Sequence, residues 1–185
     1  MWTTFIGFMG SGKSTAARHL RRATGRVALD LDDEIERTSG ATLAELSRRE
    51  GEAGLRGLEL ETLTRLSAAP SLILAAGGGV VESGEAVGLL RERGAVFWLD
   101  APWEVLRARL EVGPTGAGAR SLIQLLGWEG LRSLHARRLP LYAAAADFRL
   151  RTDRMPPRDV AQTALLRGLI WRRRLSRRRG ALSAA

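Results

Sequence analysis

Gly7-Phe8-Met9-Gly10-Ser11-Gly12-Lys13-Ser14-Thr15 fits the spacing G-x-x-x-x-G-K-[ST]. A short apolar segment, Thr3–Ile6, precedes it, and a segment of helical character, Ser14–Thr24, follows. A strand that turns through glycines into a helix constrains the rest of the chain. Its backbone N–H groups converge at a helix N-terminus and form an anion cradle. The strand also needs parallel neighbours, reached through helical crossovers. Lys13 is the only lysine among 29 Lys and Arg residues. Arginine serves as the cation everywhere else. Where a phosphate loop needs a compact charge on a flexible stem, the chain keeps lysine. In this pattern Lys13 reaches the β- and γ-phosphates of a nucleoside triphosphate, and the Ser14 hydroxyl ligates Mg²⁺.

The remaining segments alternate in the way this start requires. Strands are expected at Val27–Leu29, Ser71–Ala76, Ala95–Leu99 and Phe148–Leu150. Ser-Leu-Ile-Leu-Ala-Ala and Ala-Val-Phe-Trp-Leu are continuous apolar runs, suited to strands buried on both faces. Helices are expected at Leu43–Arg49 and Glu52–Leu66 (separated by Gly51), Glu85–Arg93, Trp103–Leu110, Leu131–Ala146 with a break near Pro140, and Asp159–Arg174. Asp33, with Glu36 three residues on, reads as a capping box. The expected fold is α/β: a five-stranded parallel sheet with helices on both faces, in one domain over residues 1–170. The glycine-rich stretch Val112–Ala119 and Arg120 suggest a mobile lid over about 112–123.

Composition narrows the function. There is no cysteine and only two histidines, His19 and His135, which excludes disulfides and thiolate metal centres and argues against a histidine cluster. No apolar run approaches the ~18 residues of a membrane span. The chain enters its first strand at once, without room for a signal peptide, so a cytoplasmic protein with no membrane partner is expected. The net charge of +9 is uneven. Seven arginines and no acid fall after Asp159, leaving +2 for residues 1–159. Residues 171–185 therefore read as a basic tail whose order the sequence leaves open. With no aromatic beyond Trp171 to stack bases, a solvated segment is favoured over a nucleic-acid contact.

Asp30-Leu31-Asp32-Asp33 follows the second strand. Residues two apart in extended backbone share a face. Ligands of open α/β sheets gather at the carboxyl ends of the strands. One carboxylate could hold Mg²⁺ through water, and the other could orient an acceptor hydroxyl and take its proton.

The ordered set of motifs resembles shikimate kinase. It comprises the phosphate loop, Asp30-x-Asp32, Gly51-Glu52-x-x-Leu55-Arg56-x-x-Glu59, Gly77-Gly78-Gly79, Arg120 and Arg138-x-Pro140-Leu141-Tyr142. The resemblance spans about Thr3 to Arg154. It implies phosphoryl transfer from ATP to the 3-hydroxyl of shikimate with one Mg²⁺; a monomer is expected apart from the resemblance. Asp32 would contact the shikimate hydroxyls and act as base, with Lys13 and Arg120 as the other catalytic groups. ATP would lie against Gly10, Ser11, Gly12, Lys13, Ser14, Thr15, Arg120 and Arg154. Ser14 and Asp30 would serve the metal. Arg56 and Arg138 would bind the shikimate carboxylate, Gly78 would offer a backbone N–H, and Glu59 would hold Arg56. Arginine forks suit a carboxylate, because they reach both oxygens at once.

The chain departs from the family pattern at four places, one of them the Arg-rich tail after Ile170, which has no counterpart in that pattern. Leu55 stands where the family usually has phenylalanine. Arg120-Ser121-Leu122-Ile123 replaces Arg-Pro-Leu-Leu, and the strand before the glycines ends in Ala75-Ala76 without a hydroxyl. Two other functions fit parts of the pattern: a gluconate-type kinase of the same fold, and a non-catalytic nucleotide-dependent regulatory protein.

Overall fold

The computed structural model describes residues 1–112 and 117–183, without the side chains of 117–120 and 172–183. Five strands form one parallel sheet: β1 (Trp2–Ile6), β2 (Ala28–Asp30), β3 (Ile73–Ala75), β4 (Gly94–Asp100) and β5 (Phe148–Arg151). Their spatial order is β2-β3-β1-β4-β5, which puts β1 at the centre. The chain runs outward to one edge and then crosses to the other. The switch point falls at the carboxyl end of β1, the place where this class of sheet opens a crevice.

Alternation along the strands sorts the core into two layers. Phe5, Ile73, Ala75, Phe97 and Leu99 face α1 (Lys13–Thr24) and α7 (Pro157–Ser183), where Ala16, Leu20, Val160 and Ala164 meet them. Ile6, Leu74, Val96 and Trp98 face the opposite layer. That layer consists of α2 (Leu31–Ser39), α3 (Leu43–Leu66), α4 (Gly84–Arg93) and α6 (Ala117–Ala145). The remaining helix, α5 (Trp103–Val112), contributes Leu106 to the same layer. Among the described residues no helix is long and apolar enough to cross a membrane.

Local details differ from the sequence expectation at three points. The cap of α2 is Asp30, not Asp33: its carboxylate accepts the Asp32 N–H at 3.2 Å. Asp32 therefore lies in the first turn of a helix, not two residues along a strand. The capping box belongs instead to Thr42 and Glu45 at the start of α3. Glu36 accepts the Leu43 N–H at 2.9 Å and ties α2 to α3. In α6 the non-helical residue is Gly127 (φ 61°), and the helix continues through Pro140. Gly51 (φ 69°) kinks α3 in the same way. Positive φ costs a residue with a Cβ, so each kink falls on glycine. Residues 113–116 of the expected lid lie outside the described residues, and from Ala117 onward its backbone belongs to α6.

Candidate active site

The glycine loop joins β1 to α1. Gly7, Gly10 and Gly12 all have positive φ, and Gly12 in left-handed geometry is the N-cap of α1. Gly12 makes no side-chain cap bond, so the helix N-terminus is left for an anion. Lys13 Nζ curls back over the loop and donates to Gly7 O (2.9 Å) and Phe8 O (3.2 Å). Burial lowers its pKa, while Asp32 and Asp30 partly offset that shift. Ser14 Oγ donates to Asp30 Oδ2 at 2.5 Å. Asp30 thus has two roles, capping α2 and joining it to the phosphate loop.

Asp32 is the most perturbed carboxyl of the site. Burial, then the negative charge of Asp30, push its pKa up to about 7, and Lys13 opposes the shift. Behind it lies Gly77. A methyl group there would come within 2.7 Å of Asp32 Oδ1 and 2.9 Å of Glu59 Oε1. Both carboxylates can therefore occupy their places only because this residue has no side chain. Gly79 does the same for Arg56, whose guanidinium occupies the space a Cβ would take.

Arg56 and Glu59 are three apart on α3 and form an ion pair. Burial raises the Glu59 carboxyl, and Arg56 offsets this only in part. Arg138 reaches the same place from α6 and is 5% exposed, whereas the neighbouring Arg137 side chain is 67% exposed. This exposure settles which of the adjacent arginines faces inward. Tyr142, one turn beyond Arg138, donates its hydroxyl to Gly78 O at 2.6 Å and holds the glycine run against α6.

Two cavities meet here. One, of about 1190 Å³, is lined by Gly10, Ser11, Gly12, Lys13, Ser14, Thr15, Asp30 and Asp32 on one side. Arg109, Thr152, Met155 and Val160 close its other side. The second, of about 580 Å³, is lined by Leu55, Arg56, Glu59, Gly78, Gly79 and Arg138. Lys13 and Asp32 line both. Among the described residues, three buried side-chain polar atoms lack a hydrogen-bond partner. Two of these are Ser11 Oγ and Arg56 Nε, one in each half of the site.

Arg154 is not among the lining residues. Its side chain is 77% exposed and lies 3.8 Å from Asp153. The side chain of Arg120 is outside the described residues. Two residues join the site that no sequence motif singled out. Arg109 on α5 donates to Gly10 O (3.2 Å), Thr152 Oγ1 (3.1 Å) and Thr152 O (2.7 Å), tying the phosphate loop to the segment after β5. Nothing marks it among 28 arginines. Glu82, in the single 3-10 turn after the glycines, accepts two hydrogen bonds from Arg138. In sequence it reads only as the approach to the α4 cap, Ser83.

This arrangement can be compared with known proteins. The pattern that defines the shikimate kinase family matches residues 9–167. The chain belongs to that family. The shikimate kinase of Acinetobacter baumannii (strain AYE) is 38% identical over 161 residues, 86% of this chain and 87% of the relative. That of Symbiobacterium thermophilum is 39% identical over 158 residues, 84% and 88% of the two chains. A solved structure of A. baumannii shikimate kinase in complex with shikimate superposes with a TM-score of 0.82 at 36% identity, covering 94% of each chain. The five-stranded order and the two-cavity site thus stand in a shikimate kinase framework.

Proposed function

We propose that this member of the shikimate kinase family transfers the γ-phosphate of ATP to the 3-hydroxyl of shikimate, giving 3-phosphoshikimate and ADP. The observation that carries the reading is that Lys13 and Asp32 border both cavities at once. The larger cavity has the glycine loop and helix N-terminus that triphosphates require. The smaller has two arginines for one carboxylate and the size of a small polar ligand. Only where the two meet can an acceptor oxygen approach a terminal phosphate.

Each residue then has a role. Arg56 and Arg138 hold the carboxylate and set the orientation of the ring. Gly78 brings backbone close to the substrate, and Leu55 forms an apolar part of the wall. Asp32 orients the acceptor hydroxyl and takes its proton as the oxygen attacks phosphorus. A carboxyl with a pKa of about 7 suits that role, since it is ionised enough to act yet basic enough to accept. Lys13 counters the charge on the transferring group. Gly10–Thr15 cradle the phosphates. Arg120 and Arg154 are kept as ATP contacts on the resemblance alone.

Mg²⁺ fits the donor set. A hydroxyl and a carboxylate oxygen 2.5 Å apart, on the last residue of β2 and the first turn of α1, are hard oxygen ligands beside the phosphate loop. Among the described residues no group of three or more Asp, Glu, His or Cys side chains could hold a metal alone. The ion would therefore be shared with the nucleotide, held by Ser14 with Asp30 beside it. When bound it neutralises phosphate charge. The reading takes a cytoplasmic monomer as the working unit.

ADP release with shikimate, gluconate and AMP as acceptors tests this. Shikimate alone should support turnover. Turnover on gluconate in place of shikimate would favour the gluconate-type kinase. Retained ATP binding without turnover on any of the three would favour the regulatory protein.

A further inference from the structure

Glu82 lies at the centre of the arginine cluster. Its two carboxylate oxygens accept from Arg138 Nε (3.1 Å) and Nη2 (2.9 Å), a side-on bidentate pair. Oε1 also accepts from Arg137 at 3.3 Å, and Oε2 lies 3.8 Å from Arg56 Nε. Burial works to raise the Glu82 carboxyl, but the hydrogen bonds and charge of Arg138, with Arg56 beyond, outweigh it and leave it lowered.

The placement of this pair decides what it does. Arg138 has five N–H donors in a planar fork. Glu82 takes the Nε edge. Nη1 remains, and with Gly7 O and the Tyr142 hydroxyl it lies 3.7 Å from the site of a Cβ on Gly78. Gly78 and Arg138 line the smaller cavity, whereas Glu82 does not. The glutamate therefore grips the guanidinium from behind and leaves the remaining edge turned into the pocket. Glu59 plays the same part for Arg56, gripping Nη1 and leaving Nε buried without a hydrogen-bond partner. Each arginine has its own carboxylate clamp. Glu52, 3.9 Å from Arg56, brings the acids to three against Arg56, Arg137 and Arg138, so the clamps leave a substrate carboxylate free donor edges and no net charge.

We infer that Glu82 is a positioning residue for the acceptor carboxylate, acting through Arg138 by fixing the plane in which its free edge meets the substrate. The inference rests on the shikimate reading of the smaller cavity. The competing reading has Glu82 standing in the place of the substrate carboxylate. That reading requires Glu82 to face the cavity and to be displaced from it, and makes the opposite kinetic prediction.

Steady-state kinetics of Glu82→Gln separate the outcomes. The amide keeps the shape but sets an N–H₂ donor against an arginine donor, so one half of the clamp fails. A guanidinium released by about 1 Å is expected to raise the shikimate KM about 10–100-fold. The ATP KM should stay unchanged, which also shows that the fold is intact, and kcat should change by less than about threefold because the chemistry at Asp32 is not touched. In an Arg138→Ala background the same substitution should add less than about twofold, since the residue through which it acts is gone. An unchanged or lowered shikimate KM in Glu82→Gln overturns the inference, and so does an undiminished effect in the Arg138→Ala background. If the unsubstituted protein fails to turn over shikimate at all, the substrate reading falls instead, and the two failures are told apart.

Discussion

Asp32→Asn is expected to lower kcat by about 10²–10⁴-fold, the range a positioned general base supplies, with ATP affinity nearly unchanged. Asparagine keeps the shape and can still hydrogen-bond the hydroxyl, but it cannot take the proton. The same carboxyl sets a pH dependence with a definite sign. Its pKa in the folded protein is about 7, against an ordinary value of 3.8. For the unsubstituted protein kcat/KM for shikimate, which reports the free enzyme, should be level above about pH 7 and fall about tenfold per unit below it, as the base protonates. Stability runs the other way. Between pH 3.8 and about 7 the folded state binds the proton that the unfolded state has released, so this group's contribution falls as pH rises through that window. The raised value already includes the help of Lys13. Removing the charge should therefore raise the Tm of Asp32→Asn at pH 8, where the native carboxylate is ionised and desolvated. A variant with near-normal kcat, or a pH profile without a break near 7, would remove Asp32 from the role of base.

Lys13→Arg should be almost as damaging although it conserves charge. In the structure the ammonium is small enough to lie against two loop carbonyls, Gly7 O and Phe8 O, with Asp30 and Asp32 close by. A guanidinium is wide and planar, and its donors are fixed in one fork. It cannot occupy that space without displacing the backbone that holds the phosphates. Loss of one well-placed stabilising donor costs about 10²–10³ in kcat, and that is the expected drop. Circular dichroism and nucleotide titration distinguish this effect from misfolding. The restriction also explains the composition: 28 arginines and one lysine mark a chain that tolerates arginine everywhere except in this loop.

The parts of the site that could be read from sequence are those carried by local chemistry. The G-x-x-x-x-G-K-[ST] spacing fixes loop, strand and helix together, so the nucleotide half was visible from Gly7 to Thr15. Arg56 and Glu59 are three apart on one helix, and their pairing follows from that spacing. The Gly77–Gly79 run also announced a close approach, though not to what. It is the structure that shows Asp32 and Glu59 pressed against Gly77, and Arg56 against Gly79. Asp30 and Asp32 meet by a different route from the one their spacing suggests. Helix α2 begins at Leu31, so the two do not share a strand face, and they meet because Asp30 caps the helix that carries Asp32. Glu82 and Arg109 could not be found in this way. Their partners are about 56 and 43 residues away in sequence, and no local period links such distant charges.

In the proposed function the site has a lysine half that handles phosphate and an arginine half that reads a carboxylate. The comparison that tests this division most directly is kcat/KM for shikimate against its methyl ester, which keeps every hydroxyl and removes the anion. Buried arginine donors left without their partner discriminate strongly, so the ester should lose at least about 100-fold, nearly all of it in KM. Equal kcat/KM for acid and ester would contradict the account, because Arg56 and Arg138 would then be holding something other than the substrate's carboxylate.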